Sequence, residues 1–234
     1  MKKQNVSIVI PTYNEEKTLP RLLKSIKMQR GVNYEVIVAD SNSKDNTKEI
    51  ASKFRAKVVR GGLPAIGKNR GARKIKYNLI LFLDADTKLP KNFLKEVLIE
   101  FRERKLDVAS VHLVPLSKNK LDHFLYEAYN FWQVITQKID PHLTGACILI
   151  KKKVFWDLGG FDEDLHVAED MALGRKAKKK KCCVGILHNH ILLDNRRLEK
   201  EGRLKFSLKL IYFSFRRLFG EIRKSRIKYE LRER

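Results

Sequence analysis

Asp84 and Asp86 are separated by one residue and close an apolar run, Asn78-Leu-Ile-Leu-Phe-Leu83. Two hard carboxylates so spaced suit Mg²⁺ or Mn²⁺. Such an ion would in turn hold a diphosphate. A continuous apolar run reads as a parallel strand buried on both faces. Ligands in open α/β sheets bind at the carboxyl ends of such strands. A plainer role fits the same residues equally: Asp84 caps the next helix and Asp86 is solvated.

Other residues capable of chemistry follow similar runs. In Ser7-Ile-Val-Ile-Pro-Thr-Tyr-Asn-Glu15, Tyr13 can stack on a flat ring and Glu15 can accept from a base or ribose. Pro11 is expected to end pairing and Asn14 to cap a helix. Asp40, in Asp40-Ser-Asn-Ser-Lys-Asp45, can accept from a nucleobase N–H or simply serve a polar loop. Lys68 and Arg70 lie between Gly67 and Gly71 and can reach phosphates, or form a solvated basic face. No P-loop and no G-x-G-x-x-G occurs. Asp170, in Val167-Ala-Glu-Asp170, suits a helix cap or a fixed general base. His188 and His190 stand at a strand end, where either could join Asp86 on a metal. Their spacing is too short and isolated for zinc.

These residues need elements to position them. Short β-rich runs at 6–10, 35–39, 57–59 and 78–83 alternate with helical spacing at 15–29, 45–54, 66–74 and 93–104. That alternation indicates a Rossmann-like, mostly parallel central sheet flanked by helices. The pattern then changes: strands at 108–114, 146–150 and 182–187, a long aromatic helix at 121–139, and a helix at 169–180.

The 234 residues include 50 Lys+Arg against 27 Asp+Glu, a formal net charge of +23. That field attracts polyanions: nucleic acid, anionic lipid or phosphorylated small molecules. Plentiful Lys and Glu with scarce Gln match a thermophile's surface. Cys147, Cys182 and Cys183 are odd in number and form no C-x-x-C pair, which suggests buried thiols in a reducing compartment. No signal-peptide core opens the chain, and no apolar run nears the roughly eighteen residues of a membrane span. A cytoplasmic protein is expected, with a peripheral place at the membrane face.

Two parts are expected, 1–202 as the α/β domain and 203–234 as a basic tail. From Arg196 onward there are fourteen Lys/Arg and five Asp/Glu. Leu204, Leu208, Ile211, Phe215, Leu218 and Ile222 recur at helical spacing. An interfacial helix on anionic lipid fits this pattern, and so does a helix docked on the protein itself.

Taken in order, Ser7–Glu15, Asp40–Thr47, Gly67–Gly71, Asp84–Asp86, Gly145 with Gly159-Gly160-Phe161-Asp162, and Glu169-Asp170 resemble family 2 of the inverting, GT-A fold glycosyltransferases. The resemblance covers about residues 6–197. It implies a nucleotide-diphospho-sugar donor, Mn²⁺ or Mg²⁺, and an acceptor that is a saccharide or lipid-linked. By this resemblance Pro11, Tyr13, Glu15 and Asp40 surround base and ribose. Asp86 is the principal metal ligand, Asp84 its helper, and Asp170 the catalytic base. Lys68, Arg70, Arg196 and Arg197 would brace phosphates, and His190 would complete the metal site. Nucleic acid is not expected as a partner. Two departures stand out. Lys88 occupies the place of a third, glutamine metal ligand. Asn195-Arg-Arg-Leu-Glu199 lacks the Q-x-x-R-W of processive synthases. Two alternatives remain: a basic nucleic-acid-binding protein, from the +23 charge and the aromatics of 121–139, and a nucleotidyltransferase, which shares the α/β plan and paired acids.

Overall fold

A computed structural model describes residues 4–137, 141, 143–165, 168–196 and 202. Arg197 and the tail 203–234 lie outside the described residues. In chain order the elements are β1 (Gln4–Thr12), α1 (Leu19–Lys27), β2 (Val32–Asp40), α2 (Thr47–Lys53), β3 (Lys57–Arg60) and α3 (Pro64–Ala72). There follow β4 (Leu79–Leu83), β5 (Thr87–Lys88), α4 (Phe93–Glu103), β6 (Val108–Pro115) and α5 (Lys120–Thr136). The last are β7 (Cys147–Lys151), α6 (Lys152–Asp157), α7 (Glu169–Lys179) and β8 (Val184–Leu193).

One sheet runs β3-β2-β1-β4-β7-β6-β8-β5. The strands from β1 to β4 pair in parallel, as alternation with helices predicts. β7 is antiparallel to both β4 and β6, so the far half is mixed. Strand side chains alternate between two apolar layers. Val6, Ile8, Ile10, Leu81 and Leu83 pack beneath α1 and α4. Val9, Ile80, Phe82, Ile148 and Ile150 pack with Phe155 of α6 and Leu173 of α7. Gly71 lets α3 lie against β1, because a Cβ there would meet a Val9 methyl at 2.4 Å.

Local signals misplace several ends. Pro11 does not stop β1, whose register with β2 runs on to Thr12↔Asp40. On the β4 side that register stops at Val9↔Phe82, so the missing proline N–H removes no ladder bond. Asn14 caps no helix. It sits at φ 53° and its side chain accepts from Lys44 N–H at 2.9 Å, while α1 begins only at Leu19. β8 runs six residues beyond its expected end. The polar run His188-Asn189-His190 hides a strand held by pairing with β6. At its outer edge Glu100 of α4 accepts from His188 N–H at 3.1 Å, and Arg104 donates to the Ile186 carbonyl at 2.7 Å. Charged groups thus occupy an edge that would otherwise invite another strand. Cys147 alone among the thiols is buried; Cys182 is half-buried and Cys183 exposed, and all three are free.

Candidate active site

The carboxyl ends of β1, β2 and β4 bring Thr12, Asp40 and Asp84 to one rim of the sheet. Lys68, on the second turn of α3, organises this rim. Its side chain is 2% exposed. The ammonium lies 3.0 Å from Glu169 Oε1 and 3.8 Å from Asp84 Oδ1. Burial alone would lower its pKa; Glu169, Asp84 and Asp170 together push it above the ordinary lysine value. Lys68 therefore remains charged and joins the Asp84 end of β4 to the first turn of α7. Its ammonium also lies 5.3 Å from the centroid of the Phe161 ring.

The Gly-Gly-Phe turn serves that ring. Gly159 and Gly160 have φ +80° and +70°, and a Cβ on Gly160 would meet Asn69 Oδ1 at 2.8 Å. Asn69, beside Lys68, accepts from Phe161 N–H at 3.0 Å and donates to its carbonyl at 2.9 Å. Phe161 packs edge-on against Phe82 of β4. Each motif supports the next one through space.

Asp170 lies in the first turn of α7, where the helix dipole favours an anion. Its Oδ1 accepts from Met171 N–H at 2.8 Å, and the Gly145 N–H also bonds the carboxylate. A Cβ on Gly145 would meet Asp170 Oδ2 at 2.8 Å, so only glycine admits this approach. Burial first, and Glu169 second, push the Asp170 carboxyl up to about 7; Lys68 and the two N–H donors oppose this. A carboxyl so tuned suits a base working near neutral pH. Ala168, just before this turn, has φ 64°, a conformation costly without a glycine and typical of functional sites.

Asp40 is 4% exposed. Oδ1 accepts from Thr12 Oγ1 at 3.1 Å and Ser43 Oγ at 2.5 Å; Oδ2 accepts from Ser43 N–H at 2.9 Å. Acceptor capacity is left on Oδ2 for a ligand N–H. An open hollow of about 490 Å³ adjoins it, lined by Asp40, Asn42, Lys48, Val58, Val59 and Arg60. Half-buried Tyr13 stands after β1, one residue beyond the Thr12 that bonds Asp40.

Three assigned side chains sit differently from expectation. Arg70 is turned to the Gly61 carbonyl beside the end of β2. Glu15 is buried and takes Arg196 at 3.1 Å. His190 lies within β8 opposite His112, because a bulge between Val111 and His112 shifts the register there. Among the described residues no group of three or more His, Cys, Asp or Glu is placed to hold a metal. β8 instead reaches Asp86 through Asp194, whose N–H donates to the Asp86 carbonyl at 3.1 Å.

Arg21 and Asp194 carried no recognisable sequence signal. Arg21 donates to Asp194 at 2.6 Å and to the Asp86 carbonyl at 3.2 Å. Burial pushes the Asp194 carboxyl up, but Arg21 and Arg196 outweigh it and hold it below the usual carboxylate range. Arg21, Asp194, Arg196 and Glu15 thus form an ionic chain around the Asp86 backbone. Glu169 was visible only as the residue before Asp170.

The family model for glycosyl transferase family 2 matches residues 7–159, from β1 through the first glycine of the Gly-Gly-Phe turn. The chain belongs to glycosyl transferase family 2. It is 34% identical over 135 residues to a 4,4'-diaponeurosporenoate glycosyltransferase of Staphylococcus haemolyticus, covering 54% of this chain and 34% of that protein. It is 30% identical over 186 residues to the poly(ribitol-phosphate) beta-N-acetylglucosaminyltransferase TarS of Staphylococcus aureus, covering 73% and 32%. The chain spans between a third and three-fifths of the first curated relatives it matches. Its fold is that of solved GT-A enzymes. The S. aureus TarS structure in complex with UDP-GlcNAc superposes with TM-score 0.68 at 24% identity, over 82% of this chain and 59% of that one. A mannosyltransferase from Pyrobaculum calidifontis in complex with GDP-Man and Mn²⁺ superposes with TM-score 0.65 at 22% identity, over 82% and 57%. Family membership displaces the nucleotidyltransferase reading that the α/β plan and paired acids left open.

Proposed function

We propose that this family 2 protein moves a sugar from a nucleotide-diphospho-sugar to an acceptor hydroxyl, with inversion at the anomeric carbon. The observation that carries this is the Asp84–Lys68–Glu169–Asp170 cluster, which joins a diphosphate-side carboxylate to a base with raised pKa. Asp40 and Tyr13 receive the base at the β2 end. Asp170 takes the proton of the acceptor hydroxyl as its oxygen bonds the anomeric carbon. The bond from that carbon to the diphosphate oxygen breaks in the same step. The Met171 and Gly145 N–H groups hold Asp170 in place, and burial beside Glu169 raises its affinity for the proton.

Mn²⁺ or Mg²⁺ fits the donor set. Asp84 and Asp86 are hard ligands one residue apart, and such ions use one or two carboxylates with substrate phosphates. When bound, the ion neutralises the departing nucleoside diphosphate. Asp86→Asn is expected to abolish metal-dependent binding of UDP or GDP while the fold survives. Calorimetry with and without Mn²⁺ checks this; unchanged metal-dependent binding removes Asp86 from the metal site.

A lipid-linked acceptor and a peripheral place at the cytoplasmic membrane face complete the proposal. No described helix is long and apolar enough to cross a membrane. The basic residues Lys205, Lys209 and Arg216 of the tail supply attraction to anionic head groups, at about 1 kcal/mol each. Full-length protein is expected to float with anionic vesicles at low salt. Lys205→Glu/Lys209→Glu/Arg216→Glu is expected to stay behind. Equal flotation of the two would remove the tail as the lipid contact.

A further inference from the structure

α5 has its amphipathic character reversed. Its outward side carries Phe124 and Phe131, while the side toward the protein carries the buried polar residues Asp122, Gln133 and Thr136. Two of these serve the helix itself. Asp122 ties its first turn to Ser117 Oγ at 2.6 Å and to Asn195 at 3.3 Å. Thr136 Oγ1 donates to the Trp132 carbonyl one turn back at 2.9 Å. Gln133 reaches instead toward the active site, and it is 0% exposed. An amide so placed costs free energy unless it is bonded, so what it bonds matters.

Its partner is Thr144. Gln133 Nε2 donates to Thr144 Oγ1 at 2.9 Å, and the Tyr129 hydroxyl lies 3.4 Å from the same oxygen. Thr144 is held by different elements at each of its polar groups. Its N–H donates to Ser110 Oγ of β6 at 2.9 Å, and its carbonyl accepts from Cys147 N–H of β7 at 3.0 Å. Ser110 Oγ in turn donates to the Cys147 carbonyl at 3.1 Å. The next residue meets the catalytic cluster. Gly145 N–H donates to the Asp170 carboxylate, and the Gly145 carbonyl accepts from Lys68 at 3.5 Å. The β6–β7 ladder ends at Ser110↔Ile148, so this turn has left the sheet where it touches Asp170. Gly145 has no side chain to anchor it, and Thr144 supplies the anchor. The fit is close: a Cβ on Gly145 would stand 2.8 Å from Asp170 Oδ2, so a small shift of Thr144 changes the bond to the carboxylate.

We infer that Gln133 is a positioning residue: through the Thr144 hydroxyl it fixes the peptide whose N–H the Asp170 carboxylate accepts. A buried, satisfied network of this kind selects one arrangement of the groups it joins. An apolar side chain at 133 would fill the space but leave the turn without its tie to α5. The contact stands independently of the reaction; its effect on sugar transfer rests on Asp170 being the base.

The Asp170 carboxyl reports on the contact directly. Its ¹³C resonance in aspartate-labelled protein, assigned by its loss in Asp170→Asn, is titrated from pH 5 to 9. Asp170 faces Glu169 of its own helix and Lys68 of α3, with Asp84 of β4 beyond that ammonium. None of these is altered by the variants. A hydrogen bond to a carboxylate favours its charged form, so weakening the Gly145 bond should move the midpoint to higher pH. Gln133→Leu and Gln133→Leu/Thr144→Val are both expected to show this. Replacing both partners by apolar groups of similar shape is nearly neutral for stability, so the double variant separates positioning from folding. Its kcat for sugar transfer is expected to fall by up to about a hundredfold, with the KM for donor unchanged. Thr144→Ser keeps the hydroxyl and is expected to keep the native midpoint. A midpoint unmoved in both Gln133 variants overturns the inference, as does one displaced equally by Thr144→Ser. A displaced midpoint, with Asp170→Asn still transferring sugar at near wild-type rate, upholds the positioning and removes Asp170 as the base.

Discussion

Asp170→Asn is expected to slow sugar transfer by about a hundred- to ten-thousand-fold while donor affinity is kept. The substitution removes the proton acceptor and leaves the Lys68 and Asp84 side of the site intact. The pH profile carries the same signature. The base works only when ionised, and its carboxyl is pushed up to about 7. Log kcat/KM in the native enzyme should therefore fall as pH drops below that value. The sign for stability is opposite. An unfolded aspartate titrates near 3.9, so between there and about 7 the native state holds the extra proton. Stability from this group is present at low pH and declines as pH rises through that window. Asp170→Asn should remove the decline and be relatively more stable at pH 8 than at pH 5. Steady-state kinetics with denaturant titration at both pH values measure the two effects. Transfer at near wild-type rate would leave Asp170 as an anion at a helix start and nothing more.

Lys68→Met is expected to be the most destabilising single substitution at the site, by about 3–5 kcal/mol at pH 8. Methionine fills the space but leaves Glu169, Asp84 and Asp170 without the buried cation they share. Unpaired carboxylates in such surroundings take up protons instead of remaining charged. The Asp170 carboxyl, already raised in the folded state, should then rise further, so the deficit should shrink on acidification toward pH 5. Urea midpoints at the two pH values test this. A variant as stable as wild type at pH 8 would show that the cluster is solvated and that Lys68 does not organise it.

The positions of the first four strands and their terminal carboxylates were legible in the sequence. Apolar runs and turn residues act locally, and the sheet places the carboxyl ends of parallel neighbours together. Asp40 ends β2, Asp84 follows β4 and Asp170 lies in the first turn of the helix expected at 169–180. Less was legible once the sheet became mixed. Nothing in His188-Asn189-His190 reads as strand, and only the pairing with β6 makes it one.

Taken alone, the sequence determined the α/β plan and the order of the site motifs, because each depends on spacing along the chain. Tertiary structure decided which charges meet. Lys68 and Glu169 are 101 positions apart, and Arg196 and Glu15 are 181 apart. No local pattern can pair residues so distant. It likewise decided that Lys68 is buried among carboxylates, that His190 lies within β8 opposite His112, and that the apolar side of α5 faces outward. Burial and Coulomb interaction act through space, so these properties arise only once the sheet has brought the strands' ends together.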